Sequence, residues 1–468
     1  MLDAGGVLYR DYWDIKQPAI FVFFLAAGTL FGFTQSGAHA LDVLWETAFA
    51  VALVFSLRGA LRDPRWAAFA PLGVVGATYA GSSPWHLLQV EELVGFPIFV
   101  CMWTAGLALT ERRGSASAGL ALFSGLAGGT VLLFKLLLAP VVVAVTIAMT
   151  FRARSRSSAG DRMRFWFLWL LGILVPYAAY AAYAASTGSL ETALETTFAV
   201  PLQIAAFAPH APIDRLSDSA LRLLLYFRGI IVLAVIGAVT MRDGRMHPWR
   251  AACFAWIVSG LAVILAQSQS WWQYQFLLLV PPIGILATFG AAFLGDCVAR
   301  RRRTGLIALA AAGVVAYIAV PLPQGAIGTI LRIVRERPFA SSAALERYRV
   351  ASSTEYAGAV VDAELPLRVG SDPGPIYVFG NPLIYVLANR PQAIAMTSWA
   401  SYLHPPSIWA RLDNELSAAR PIYIFVLEDR GVDISSARSP NISLTLARDY
   451  VEAARTVDGT WYRRRRQT

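Results

Sequence analysis

The stretch "GGVLYRDYWDIKQP" (5–18) puts Asp11, Asp14 and Lys16 within six residues of one another, directly before the apolar run "AIFVFFLAAGTLFGF". A positioned carboxylate can take the proton of an attacking hydroxyl, or two can share a divalent cation. A lysine is a compact point charge suited to a phosphate oxygen. A second group lies further along. Gln89, Glu91 and Glu92 sit in "GSSPWHLLQVEELVGFP" (81–97), which has no neighbouring Lys or Arg. Lys135 stands between two apolar runs, Arg228 inside one, and Trp271, Trp272, Tyr274 and Gln275 in "QSQSWWQYQF" (267–276). Of 40 basic residues only Lys16 and Lys135 are lysine. Each feature also has a plainer role. Asp11 and Asp14 can pair with Arg10 and Lys16, the lysines can snorkel to headgroups, Glu91 and Glu92 can cap a helix, and the aromatic residues can form an interfacial belt.

The elements that must position these groups are membrane helices. Of the 468 residues 56% are hydrophobic and 15% charged, against about 25% charged in a typical soluble domain. Apolar runs long enough to cross a bilayer recur near 41–57, 66–81, 94–110, 118–134, 136–151, 165–184, 222–241, 251–267, 276–294 and 306–323. Every second connection is rich in arginine: Arg58/Arg62/Arg65, Arg112/Arg113, Arg152 through Arg164, Arg242/Arg245/Arg250, and Arg300 to Arg303. The positive-inside rule places these in the cytoplasm, so the arginine-poor connections 82–93, 185–221 and 268–275 face outward. The net charge of +10 therefore follows membrane topology and does not indicate a nucleic-acid partner. On this parity 19–34 does not cross and reads as a juxtamembrane helix in the outer interface, the other reading being an ordinary spanning helix with a locally broken charge rule. All the candidate residues then gather at the outer face, where a lipid-linked, negatively charged substrate would meet a polar acceptor.

From about 324 the apolar runs shorten. "PIYVFG" (375–380) and "PIYIFVLED" (421–429) read as buried strands, "PPSIWARLDNELSAA" (405–419) and "SLTLARDYVEAA" (443–454) have helical spacing, and "TWYRRR" (460–465) reads as a last edge strand. The expected architecture is a polytopic α-helical membrane protein of the bacterial plasma membrane. An outer loop and juxtamembrane helix (1–40) lead into a helical domain (41–323), and a small extracytoplasmic α/β domain (324–468) follows. The α/β domain has no Gly-rich phosphate loop and receives no cofactor. Cys101, Cys253 and Cys297 lie in or beside membrane segments, and the five histidines show no ligand spacing, so neither a disulfide framework nor a zinc-type site is expected.

The residues resemble a family. "GGVLYRDYWDIKQPAIF" is similar to the first outer loop of bacterial GT-C glycosyltransferases related to protein O-mannosyltransferases and the lipid A aminoarabinose transferase. The matching positions are Gly6, Tyr9, Asp11, Trp13, Asp14, Lys16 and Pro18, with Gln17 in place of a proline. Gln89 and Glu91 match a Gln-x-Glu of the next outer loop, Tyr274-Gln275-Phe276 with Pro281-Pro282 loosely match a Tyr-His-Tyr-like element, and "IYVFGNPLIYVLANRP" and "YVEAARTVDGTWYRR" look like the family's outer α/β domain. The resemblance implies transfer of a sugar from a polyprenyl-phosphate donor to a glycan, lipid or protein acceptor at the outer face, with inversion. It implies base candidates Asp11, Asp14 and Glu91, a phosphate holder in Lys16, and substrate contacts Tyr9, Gln89, Tyr274 and Gln275; Lys135 and Arg228 as further phosphate holders and Trp272 as a further substrate contact are read from their type and placement at the outer face. A divalent cation (Mg or Mn) assists in some relatives. The family carries a further helix and an acidic pair upstream of this loop. The sequence begins inside the loop, so the expectation is a start codon placed too late, with Asp11 or Asp14 otherwise taking the base role. Two other classes fit the same sequence: a transporter or flippase for a lipid-linked glycan, and a non-catalytic subunit of a glycan assembly complex.

Overall fold

The computed structural model describes residues 5–82, 86–110, 115–151, 158–241, 247–299, 313, 321–368, 374–399, 403–428 and 440–465. Most of the expected span 306–323 lies outside the described residues, as do Arg112/Arg113, Arg152 through Arg156, Arg242/Arg245 and Arg300 to Arg303 of the arginine-rich connections. The chain forms two compact units. One holds Lys16–Ser186 and His210–Thr329; the other holds Met1–Ile15, Thr187–Pro209 and Ile330–Thr468.

The first unit is an integral-membrane helical body. It opens with α1 (Pro18–Phe31), which starts on Pro18, a residue whose missing N–H costs nothing in a first turn. It stops at Gly32, whose φ of 91° is open to glycine at little cost. Its 14 residues rise about 21 Å, short of a hydrocarbon core of about 30 Å. Thr34 then caps α2 (Gln35–Arg58), its hydroxyl accepting from Gly37 N at 3.1 Å. Among the described residues six more helices have the length and apolarity to cross a membrane: α3 (Val90–Leu109), α4 (Ser115–Phe134), α6 (Ala159–Ser186), α7 (Ile213–Thr240), α8 (Pro248–Ala266) and α9 (Gln273–Ala299). The shorter α5 (Leu136–Thr150) lies between α4 and α6.

The stretch read as a span at 66–81 is not a regular helix. It runs as a 3-10 turn (Pro64–Ala68), a short α segment (Phe69–Pro71), a π turn (Leu72–Gly76) and a last α turn (Ala77–Gly81). Pro71 lacks the N–H that a continuous α ladder needs, and the π turn follows it directly.

Small residues hold the bundle together. α4 packs on α6 at Gly125, Gly129 and Gly172, and α7 packs on α9 at Gly237 and Gly290. A side chain at Gly237 would collide with the Leu286 carbonyl, and one at Gly290 with that of Leu233. Between apolar helices surrounded by lipid, close backbone approach replaces the hydrophobic effect as the source of association.

The second unit carries a four-stranded sheet of β1 (Ile376–Phe379), β2 (Tyr423–Leu427), β3 (Tyr450–Arg455) and β4 (Gly459–Arg464), in the order β1-β2-β4-β3. β1 and β2 are parallel, and the other two pairings are antiparallel. Two expectations are corrected. Residues 443–454 are not one helix, because the helix Pro440–Asp449 gives way to β3. The stretch 460–465 is not an edge, because β4 lies between β2 and β3. β3 is the edge strand, mostly exposed beyond Tyr450 and bulged between Glu452 and Ala454, so it lacks the alternation that marks a half-buried strand. Trp461 of β4 is fully buried, packs with Ile376, Val378, Tyr423 and Phe425, and donates its indole N–H to the Asp362 carbonyl at 2.9 Å.

Candidate functional site

The motif loop (5–15) belongs to the second unit and is tied into it by backbone. Trp13 N donates to Ala395 O at 2.8 Å, Thr397 N donates to Trp13 O at 3.2 Å, and the Trp13 indole donates to Thr196 Oγ1 at 2.9 Å. Tyr9 is fully buried with a φ of 67°, and its N–H donates to Tyr12 O at 2.6 Å. A non-glycine residue at positive φ persists only where its surroundings demand it. Tyr9, expected to touch substrate, therefore acts as the buried pivot of the loop.

The two loop carboxylates have different surroundings. Asp11 accepts from Val7 N at 2.9 Å and from the Arg10 guanidinium at 2.9 and 2.8 Å. Arg10 also donates to the Thr187 carbonyl at 2.9 Å. Those hydrogen bonds hold the Asp11 carboxyl down at about 2, which makes it a weak base. Asp14 is buried, and its negative charge reaches His404 and Tyr12. Burial pushes the His404 imidazole down to about 4 against the opposing pull of Asp14, and burial with Asp14 raises the Tyr12 hydroxyl. His404 packs edge-on to Trp13 and Trp409, at 5.8 and 5.7 Å between ring centroids, and its Nδ1 has no hydrogen-bond partner. No sequence signal distinguished His404 from the other four histidines.

That burial has a consequence for stability. The unfolded chain takes up a proton on His404 below about 6.5, whereas the folded chain waits until about 4. Stability is therefore lost as pH falls through this window and is level again below it. His404→Asn is expected to flatten the loss of Tm between these two pH values. A thermal unfolding series of the full chain in detergent reads it directly.

In the helical unit, breaks between helices gather the second group. Lys135 sits in extended backbone between α4 and α5. Its Nζ donates to Glu91 Oε1 at 2.6 Å and to Gln267 Oε1. Gln275 Nε2 donates to the same Gln267 oxygen at 3.0 Å and to Ser270 Oγ at 2.7 Å, while its own Oε1 is buried without a partner. Gln17 Oε1 accepts from Leu136 N at 2.8 Å, which anchors the residue that follows the exposed Lys16. Trp271 adopts a φ of 46°, and the Arg215 guanidinium lies 4.4 Å from the Trp272 ring centroid. Tyr274 lies 6.3 Å from the His86 ring. Burial and the charge of Arg222 hold His86 low. The backbone of Gln89 opens the turn that carries Glu91.

Of the expected site residues, the structure thus brings Glu91, Lys135 and Gln275 into one network through Gln267. Arg228 lies exposed on α7. The Lys135–Glu91 pair is only 26% and 3% exposed at its side chains. Removing one partner of such a pair strands the other. Lys135→Ala is expected to destabilise the protein by about 3–5 kcal/mol, and the double change Lys135→Met/Glu91→Leu by much less. Thermal unfolding of both variants in one detergent makes the comparison.

Two acids within the expected span 41–57, Asp42 and Glu46, were missed, and they are buried together with Glu92 of the next outer loop. Asp42, Glu46 and Glu92 are all at least 95% buried, and Tyr79 donates to Asp42 Oδ2 at 2.7 Å. Asp42 Oδ1 and Glu92 Oε1 have no partner. Acids inside an apolar run were the available signal. Among the described residues no three His, Cys, Asp or Glu side chains are placed to hold a metal ion.

No family model matches the sequence, and no curated protein does. The solved structures do give matches. ArnT from Cupriavidus metallidurans in the apo state aligns with a TM-score of 0.59 at 16% identity, over 97% of this chain and 88% of that one. Archaeal oligosaccharyltransferase AglB from Archaeoglobus fulgidus, in complex with an inhibitory peptide and a dolichol-phosphate, aligns at 0.46 and 11% identity, over 98% of this chain and 67% of that one. ArnT bound to undecaprenyl phosphate aligns at 0.60 and 16% identity with the same coverage as the apo form, so the chain shares the fold of ArnT along nearly its whole length.

Proposed function

We propose that this protein is a membrane glycosyltransferase that moves a sugar from a polyprenyl-phosphate donor to an acceptor hydroxyl at the outer face of the membrane. The observation that carries the reading is the fold likeness to ArnT over 97% of the chain, in a form that binds undecaprenyl phosphate. The acceptor oxygen attacks the anomeric carbon, the bond from that carbon to the phosphate oxygen breaks, and the lipid phosphate leaves with the electron pair. Lys16, exposed and followed by the anchored Gln17, meets the growing negative charge on the phosphate. Asp14, two residues before Lys16 in the same loop, takes the acceptor proton, because Asp11 is held near 2 by its hydrogen bonds and is the weaker base. Lys135, Gln267 and Gln275 form a polar network in which the buried Gln275 Oε1 has no hydrogen-bond partner.

In a transfer assay with polyprenyl-phosphate sugars in native membranes, Asp14→Asn is expected to lower turnover by at least about 100-fold. Asp11→Asn is expected to cost far less. Wild-type turnover in Asp14→Asn, at normal expression, contradicts the assignment.

The buried acids Asp42, Glu46 and Glu92 favour a second reading, movement of a lipid-linked glycan across the bilayer, since ionisable groups inside spanning helices mark transport pathways. Proteoliposomes that translocate a labelled lipid-linked sugar without transferring it would select this reading.

A further inference from the structure

The helix α10 (Pro321–Glu336) differs from the spanning helices in how its apolar residues are arranged. Ile327, Ile330, Leu331 and Val334 recur at the spacing i, i+3, i+4, i+7, which is one stripe of a helix. They are 54%, 58%, 63% and 66% exposed, so nothing among the described residues covers that stripe. The other side carries Thr329, Arg332 and Glu336, with Arg335 beside the stripe, and Arg332 Nε lies 3.0 Å from Glu336 Oε1. The Arg332 guanidinium also lies 5.2 Å from the Tyr348 ring centroid, which keeps this edge turned from the stripe. Arg337 ends the helix in a left-handed conformation, with a φ of 45°. Three arginines thus stand against one glutamate over 332–337, and Phe339, 79% exposed, follows. The apolar sequence 306–323, long enough to span, runs directly into the helix.

We propose that α10 is a membrane-surface helix. Its stripe of Ile327, Ile330, Leu331 and Val334 lies in the acyl boundary, and Arg335 and Arg337 sit at the headgroups of anionic phospholipids. The stripe supplies apolar area, and the arginines supply charge complementarity to anionic headgroups. A helix of this kind sits in the interface plane with a binding strength that depends on lipid charge.

The test uses the full chain in nanodiscs with single cysteines carrying nitroxide labels. Labels at Ile330, Leu331 and Val334 are expected to be open to oxygen and closed to a water-soluble nickel chelate, at a depth of about 5–10 Å below the phosphates. Labels at Gly328 and Thr329 are expected to show the reverse. Replacing a zwitterionic phosphatidylcholine disc with one containing phosphatidylglycerol is expected to deepen the stripe labels, and Arg335→Gln/Arg337→Gln is expected to abolish that difference. Equal nickel access around the whole helix overturns the proposal. So does dipolar broadening confined to the stripe labels, which would report a second copy of the chain instead of lipid.

Discussion

Lys16→Ala is expected to lower sugar transfer by at least about 100-fold while leaving the protein folded, the size found when a positioned electrostatic contact to a developing charge is removed. In the proposed reaction the leaving group is a phosphate, so a cation there acts more strongly in the transition state than in the ground state. Lys16 suits that task because its side chain is exposed while its neighbours are fixed. Gln17 and Pro18 are buried, Gln17 accepts the Leu136 N–H at 2.8 Å, and Pro18 starts α1. The charge thus stands on a backbone already held in place, and little ordering remains to be done when lipid phosphate arrives. Lys16→Arg keeps the charge but changes its shape, and is expected to retain part of the activity. Unchanged transfer in Lys16→Ala would remove this residue from the site.

Gly237→Leu is expected to abolish recovery of monodisperse protein, and Gly290→Leu to do the same. Each glycine sits where α7 and α9 cross, and an added side chain would run into backbone: the Leu286 carbonyl in one case, the Leu233 carbonyl in the other. Backbone cannot rotate away as a flexible side chain can. The helices would have to separate, losing the packing of Ile230, Leu233 and Ala234 against Ile285, Leu286 and Phe289. Overpacking of well-packed cores costs about 1–3 kcal/mol and more where nothing can yield. Small-residue crossings are also the places where membrane helices associate. Gly119→Leu, at a glycine with open space around it, is the control and is expected to purify normally. Size-exclusion profiles of the three variants decide the matter, and a normal Gly237→Leu profile would mean that the two helices do not cross as closely as described.

Much of the fold was legible because lipid is an undemanding reader of sequence. A stretch such as Ser115–Phe134 needs only length and apolarity to be recognised, and α1 could be separated from the spans by arginine counting alone. The sheet was only partly legible. β1 and β2 are buried apolar runs between turn residues, whereas β3 is exposed, bulged and interrupted by charge. That β4 lies between β2 and β3 is a fact about pairing, which no local pattern carries.

The site shows the same division. Asp14, Lys16 and Glu91 could be named as candidates from residue type and the company they keep. Their partners could not, because Lys135 is 44 residues from Glu91 and 132 from Gln267, and such pairs are made only by folding. His404 is likewise brought near Asp14 only by the second unit's fold. Asp42 and Glu46 are a different case. An acid within an apolar run was readable by the same rule that singled out Arg228, yet it is these acids that are buried and Arg228 that is exposed.

The central claim is that this chain handles a polyprenyl phosphate. The most direct measurement is native mass spectrometry of the purified full chain titrated with undecaprenyl phosphate, with phosphatidic acid as the competing lipid monoester. The account predicts a bound complex that phosphatidic acid displaces poorly, weakened at least about tenfold in Lys16→Ala, as expected for the loss of one charge-assisted contact. Equal binding of the two lipids, with no dependence on Lys16, would contradict it.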